Sequence, residues 1–254
     1  TVNLNVKDDL AADNQALIFS QLPQPTKVLL VSRGNRFLEK ALHAAANVEL
    51  STASDLTDPA AAFDLVVLDD ISPTVWPEGN VLAIHVANTN WFDTISTTET
   101  PTIVDWKNTH PLLRYVNFDN VQVSETLAIK TPPWALPLVD AQQTPLILTG
   151  ELARQKIVWI GFDPLQSTWP LRISFPIFIA NAVEFLNPAS DKNSQLFLRP
   201  GEPFRFANAQ NVDKAEIILP NGKTEKLPVD AKAREIIFSQ TTEQGSYRLR
   251  AGTN

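Results

Sequence analysis

The run KIVWIGFDPLQSTWPLRISFPIFIANAVEFL, residues 156–186, constrains the fold more than any other part of the chain. Residues 156–162 form an apolar run that ends at Asp163-Pro164, which predicts a strand buried on both faces. A loop carrying Trp169 and Arg172 follows. Residues 175–186 then repeat apolar side chains at helical spacing, and the helix opens near Pro176, where the first turn tolerates proline. Asn187-Pro188 closes it. Strand, short loop and helix make the repeating unit of an open α/β sheet. Such sheets hold their sites at the carboxyl ends of the strands, where Asp163 and Arg172 fall.

The same pattern begins at Lys27. Residues 28–31 read as a short buried strand, Arg33-Gly34-Asn35 as its turn, and Asn35 as the cap of a helix running to Ala46, with Phe37, Leu38, Ala41, Leu42 and Ala45 on its apolar face. Residues 48–50, 63–68 and 81–86 read as further strands, and the run 63–68 ends in Asp69-Asp70. Residues 87–133 are expected to be irregular, with one strand at 121–129. Residues 134–139 and 145–151 are expected to pair as antiparallel strands.

Both ends of the chain are strand-like. Val2, Leu4 and Val6 alternate, break at Asp8-Asp9, and a second run follows at 16–19, which predicts two strands around an Asx turn. After Pro188 a polar linker leads to short strands at 196–198, 204–206, 215–219, 226–229, 235–238 and 246–250, with Pro220-Asn221-Gly222 as a hairpin turn. The expected organisation is residues 1–22 as trailing strands of a preceding or shared β-sandwich, 26–188 as the α/β domain, and 195–254 as a small immunoglobulin-like β domain. A chain that opens at Thr and contains no Met is expected to be a piece of a longer protein.

Composition removes several classes of chemistry. The 254 residues carry a net charge of −7 with Lys and Arg scattered singly, so no basic stripe is present for a nucleic-acid backbone. There is no cysteine, hence no disulfide, thiolate metal site or cysteine nucleophile. Glycine is scarce and neither GxGxxG nor GxxxxGK[ST] occurs, which argues against nucleotide phosphates held in those loops. No cofactor or metal is expected.

Residues 27–40 (KVLLVSRGNRFLEK), 63–70, 104–116 (VDWKNTHPLLRYV) and 161–186, with its GFD…WPLR…FPI…N signature, together resemble one family. It comprises large bacterial membrane proteins that combine a Bat-type (aerotolerance-like) anchor, a von Willebrand A domain and a class I glutamine-amidotransferase-like domain before a final transmembrane helix. The resemblance implies an α/β fold with a flavodoxin-like, open, mostly parallel sheet and flanking β-sandwich strands. It also implies membrane attachment through segments outside this chain, a periplasmic location, and partners among other domains or subunits of a membrane complex. It supplies no reaction. Amidotransferase chemistry needs a Cys on a strained elbow, and this chain has neither Cys nor a GxSxG elbow around Ser32.

Six residues stand out as candidates for binding a ligand or partner, and none for catalysis. Asp163 and Arg172 share one strand-to-helix loop and are expected to pair, with Trp169 packed over them as a lid. Asp69 and Asp70 end a strand and offer oxygen ligands for a hard cation or a hydroxyl, or serve as caps. His110 precedes Pro111. His43 is expected on the solvent side of the first helix and His85 inside a strand, so no histidine cluster forms. The leading expectation is a non-catalytic interaction or ligand-binding module. The alternatives are a hydrolase with an unorthodox Ser or carboxylate site at the strand ends, and a sugar-binding module with exposed, coplanar Trp faces.

Overall fold

The computed structural model describes residues 2–3, 15–16, 25–93, 95–188, 198–207, 212, 214–229 and 235–251. The chain divides into two compact units, Pro23–Ser190, and Thr1–Leu22 together with Asp191–Asn254.

The first unit is built on an eight-stranded sheet. Its strands are β3 (Thr26–Val31), β4 (Val48–Ala53), β5 (Leu65–Asp69), β6 (Asn80–Ile84), β8 (Ile103–Trp106), β10 (Ala135–Ala141), β11 (Pro145–Leu152) and β12 (Gln155–Ile160), in the spatial order β4-β3-β5-β6-β12-β11-β10-β8. Neighbours from β4 to β12 are parallel, and β12, β11, β10 and β8 continue as antiparallel neighbours. Taken in chain order, the parallel strands lie second, first, third, fourth, fifth. This is the flavodoxin-like arrangement, whose switch point falls between the first and third strands, here β3 and β5.

Strand alternation explains the two cores. Val28 and Leu30, Leu65 and Val67, Leu82 and Ile84, and Val158 and Ile160 face the two helices, α1 (Arg36–Ala44) and α2 (Ser174–Leu186). Leu29 and Val31, Val66 and Leu68, Val81 and Ala83, and Ile157 and Trp159 face the other way. That second face is covered by loop residues, including Leu56, Ala60, Ile71, Val86, Trp91 and Phe92, rather than by helices. Helix α2 buries Phe175, Phe178, Ile179, Ala182, Val183 and Leu186, a stripe at helical spacing. Asn80 fastens the α2 C-terminus by donating from Nδ2 to the Leu186 carbonyl at 2.6 Å. Among the described residues, no helix is long and apolar enough to cross a membrane.

The region expected to be irregular, residues 87–133, contains more structure than its pattern suggests. β7 (Ile95–Glu99) pairs antiparallel with β9 (Glu125–Ile129), and β8 joins the main sheet. The polar ISTTE of β7 has no apolar alternation of the kind that marks a half-buried strand. His85 also departs from its expected place. It follows β6 with φ +53° and does not lie within the strand.

β8 is an edge strand, and its Asp105 lies directly opposite Asp140 of β10. Burial, opposed by Lys107 and reinforced by Asp105, holds the Asp140 carboxyl above the usual carboxylate range. The folded chain therefore binds this proton more tightly than the unfolded chain. Stability from this group is greatest at acidic pH and falls as pH rises from the ordinary carboxylate value through the raised one. Asp140→Asn is expected to remove that slope and to add about 0.5 kcal/mol at pH 7, the scale of a like-charged cross-strand pair near solvent. A higher urea midpoint at unchanged m value would register it.

Among its described residues, the second unit contains three small antiparallel sheets. β13 (Phe204–Ala207) pairs with β16 (Glu235–Phe238), and β14 (Lys214–Ile218) lies between β15 (Thr224–Pro228) and β17 (Arg248–Ala251). The Pro220-Asn221-Gly222 turn closes the β14–β15 hairpin with Gly222 at φ +83°. β1 (Val2–Asn3) pairs with β2 (Gln15–Ala16). The rest of the strands expected at 2–6 and 16–19, residues 196–197 of the strand expected at 196–198, and the linker at 189–195 lie outside the described residues.

Candidate functional site

The carboxyl ends of β3, β5, β6 and β12 bring together Ser32, Asn35, Asp69, Asp70, His85 and Asp163. The chain leaves β3 through Ser32-Arg33-Gly34-Asn35, where Gly34 takes φ +118°, a conformation suited to glycine. Ser32 Oγ accepts from the Gly34 amide at 3.0 Å and donates to Asp69 Oδ2 at 2.6 Å. Asn35 caps α1, its Oδ1 accepting from the Leu38 amide at 3.1 Å, while its Nδ2 donates to Asp69 Oδ1 at 3.2 Å. The Asp69 carboxylate thus holds both the turn and the helix cap across the β3–β5 switch point. Burial raises its pKa above the usual range, the Ser32 and Asn35 hydrogen bonds oppose the rise, and the charges of Asp163 and Asp70 add to it.

One residue further on, the chain turns the other way. Asp70 and His85 both adopt left-handed backbone, φ +52° and +53°. Asp and His enter this region more readily than most residues, at a cost of about 1–2 kcal/mol each. The Asp70 amide donates to the Ile84 carbonyl at 2.9 Å and the His85 amide to the Ile160 carbonyl at 2.7 Å, so both turns are anchored on neighbouring strands. Their side chains meet, His85 Nδ1 to Asp70 Oδ1, at 2.8 Å. Strained pairs of this kind concentrate at ligand sites and switches.

Asp163 stays at this end of the sheet, and the other candidates are dispersed. Asp163 and Arg172 do not pair. Asp163 Oδ1 caps the short helix η2 (Pro164–Gln166) through the Leu165 amide at 2.8 Å. A second short helix, η3 (Trp169–Leu171), turns the chain so that Arg172 donates to the Asn120 carbonyl at 3.2 Å. Trp169 is no lid over a site. It is wholly buried among Phe118, Phe162, Phe175 and Phe178, and its Nε1 donates to Ser174 Oγ at 3.1 Å. Asp69 and Asp70 do not act as a cation pair here, because each carboxylate has its own partners, Ser32 and Asn35 for Asp69 and His85 for Asp70. Among the described residues, no group of three or more His, Cys, Asp or Glu is placed to hold a metal.

His110 belongs to the opposite end of the sheet. Its Nδ1 caps the helix η1 (Pro111–Leu113) through the Leu112 amide at 3.3 Å, and its ring packs on Phe185 at the end of α2. Burial, then Lys107, lowers its pKa. The tryptophans do not form a sugar platform. Trp159 and Trp169 are fully buried, and Trp91 meets Trp76 and Trp134 at 53° and 67° rather than in one plane.

Sequence reasoning gave Asp69 and Asp70 but assigned Asn35 only a cap and His85 only a strand position. The missing signal was backbone conformation, since nothing in the residues around His85 marks a left-handed turn.

A family model described as a domain of unknown function (DUF8816) matches residues 197–254. No curated protein matches the chain. Among solved structures, a cytoplasmic protein from Salmonella typhimurium LT2 superposes with a TM-score of 0.50 at 12% identity, over 64% of this chain and 100% of that one. A ThuA-like protein from Parabacteroides merdae gives a TM-score of 0.46 at 13% identity, over 65% of this chain and 91% of that one. A β-galactosidase from Bacillus circulans gives 0.39 at 11% identity, over 84% of this chain and 41% of that one. ThuA-like proteins have the class I glutamine-amidotransferase-like fold. The strand order and the first of these likenesses agree on a mixed α/β, flavodoxin-like unit, and they bear on fold alone.

Proposed function

We propose that the α/β unit is a non-catalytic binding module whose ligand enters at the β3–β5 switch point. The observation that carries this reading is the Asp70–His85 contact between two left-handed turns, set beside the buried Asp69. The acceptors gathered there favour a small ligand rich in hydroxyl or ammonium donors. Ser32 gives its proton to Asp69, while Asp70 holds His85, so the serine is not part of a Ser–His relay. A thermal-shift series with polyols, amino acids including glutamine, nucleotides and divalent cations tests the reading. A ligand at about 100 times its Kd adds roughly 2.7 kcal/mol, or about 5–11 °C in a chain of this size. The shift is expected to disappear in Asp70→Ala and His85→Ala. If every series is flat, the reading fails.

The Asp70–His85 contact also favours a second reading, a hydrolase in which His85 activates water. Turnover of a chromogenic ester, abolished in His85→Ala, would support it. The wider setting proposed is the periplasmic side of a membrane-anchored protein with a von Willebrand A domain, partnered by other domains of a membrane complex. Its support is the sequence resemblance, and fractionation of the full-length protein tests it.

A further inference from the structure

Asn221-Gly222 is the only place in the sequence where Asn precedes Gly, and it lies at the exposed tip of the β14–β15 hairpin. Asn221 Oδ1 accepts from the Lys223 amide at 2.9 Å, which closes an Asx-turn around the Gly222 nitrogen. Asn221 Cγ and Gly222 N are therefore members of one small ring of atoms. The Lys223 amide polarises the carbonyl at that Cγ and stands where a donor stabilises an oxyanion formed on Oδ1. Gly222 adds no side chain to hinder an approach, and the place a Cβ would take has no neighbour within 4 Å. One bond opposes the approach. The Gly222 amide donates to the Leu219 carbonyl at 2.9 Å and must first be released by local opening of the turn.

We propose that Asn221 is a self-modification site, its carboxamide converted to a carboxylate through attack by the Gly222 nitrogen, and that the product frees the hairpin tip from the 243–247 turn. The Gly222 nitrogen gives its proton to solvent base and bonds to Asn221 Cγ. The Cγ–Nδ2 bond breaks, Nδ2 takes a proton from water and leaves as ammonia, and a five-membered imide remains. Water then opens the imide at either carbonyl, giving aspartate or isoaspartate. No electrons are transferred, and water is the only co-reactant. Other asparagines are held away from this chemistry. Asn35 is buried and caps α1, Asn80 is bonded through both Oδ1 and Nδ2, and the amide after Asn181 lies inside α2.

The product matters because the tip is docked. Pro220 and Gly245 approach so closely that a Cβ on Gly245 would lie 2.7 Å from Pro220 Cβ. Beside them, Asn221 Nδ2 donates to the two Glu243 carboxylate oxygens, at 3.3 and 3.5 Å. The Tyr247 hydroxyl accepts from the Glu243 amide at 3.1 Å and donates to its carbonyl at 2.8 Å, which fixes the backbone there. A carboxylate at 221 replaces the donor with a like charge facing Glu243. The Lys223 ammonium is already paired with Glu225 at 2.9 Å. Isoaspartate also inserts a methylene into the main chain of the hairpin whose Ile218 pairs with Arg248 in the β14–β17 ladder.

Incubating the whole chain at mildly alkaline pH, then cleaving after Lys and Arg for mass spectrometry, tests this. The peptide of residues 215–223 is expected to gain the mass difference between carboxyl and carboxamide, and to accept methyl groups from an isoaspartyl methyltransferase. Peptides carrying the other asparagines are expected to change at least about tenfold more slowly. Gly222→Asn suits the φ of +83° and supplies a Cβ, and it is expected to slow conversion at 221 by at least about tenfold. An unchanged thermal midpoint confirms that this variant folds. Asn221→Asp, which stands in for one product, is expected to speed amide exchange at residues 243–251. A 215–223 peptide that keeps its mass, or conversion as fast in Gly222→Asn as in wild type, would overturn the inference. So would wild-type exchange at residues 243–251 in Asn221→Asp.

Discussion

Trp169→Ala is expected to lower the thermal midpoint by roughly 8–16 °C, which corresponds to about 4 kcal/mol. The indole is fully buried and touches four phenylalanine rings drawn from three parts of the chain: Phe118, Phe162, and Phe175 with Phe178. Those parts are the loop beside α2, the exit from β12 and α2 itself, so no single element can collapse into the space. Trp169→Phe keeps most of the contact area but leaves the Ser174 hydroxyl without its donor, and a loss of about 1–2 kcal/mol is expected. A loss below about 1 kcal/mol in the alanine variant would show that the ring is not a core residue.

Asp69→Ala is the second large effect, about 3 kcal/mol, because it strands two donors that its carboxylate accepts. Asp69→Asn is more informative. The new amide can accept from Ser32 with its oxygen, but its nitrogen then faces Asn35 Nδ2, while Asn35 Oδ1 is committed to capping α1 at Leu38. Loss of about 1–2 kcal/mol is expected, with faster hydrogen exchange at the first amides of α1. The pH dependence has a definite sign. Burial raises the Asp69 pKa in the folded chain, so the folded state holds this proton more tightly than the unfolded one. In the wild type this group favours folding most at acidic pH. That contribution falls as pH climbs from the ordinary carboxylate value through the raised one, and the slope is absent in Asp69→Asn. Stability of Asp69→Asn that tracks wild type across that window would show that Asp69 does not titrate there.

The fold was legible where burial is two-sided and local. VLLV, LVVL and IVWI are apolar without interruption because helices and loops cover both faces, and each lies in a strand. Asn35 and Pro176 mark helix starts through capping and first-turn chemistry that acts within four residues. What was not legible depends on partners distant in sequence. β7 is polar and is a strand only because β9 pairs with it. Asp163 and Arg172 share one loop, yet a single turn of η3 sends them to different neighbours. Their spacing permitted a pair, and the turn prevented it. The site was half-legible for the same reason. Asp69-Asp70 announces itself as a strand end, whereas Ser32, Asn35 and His85 join it only through the parallel register of β3, β5 and β6.

The position of β12 in the sheet bears on how the chain folds. It is the strand where a locally connected antiparallel meander, β10 to β12, meets a locally connected parallel half, β3 to β6. The meander can form from adjacent hairpins, and β3, α1 and β4 from a single short crossover. The seam between them is different. Lys156 at its start hydrogen-bonds to Asn80, 76 residues earlier. Closing a loop that long must be accomplished before the β6–β12 ladder repays any of the lost chain entropy. The two halves should therefore gain protection early and separately, and the β6–β12 amides last, as one cooperative event that sets the observed folding rate. Until that event the edges of β6 and β12 face water unpaired, and the unfinished chain is at greatest risk of pairing with a neighbour.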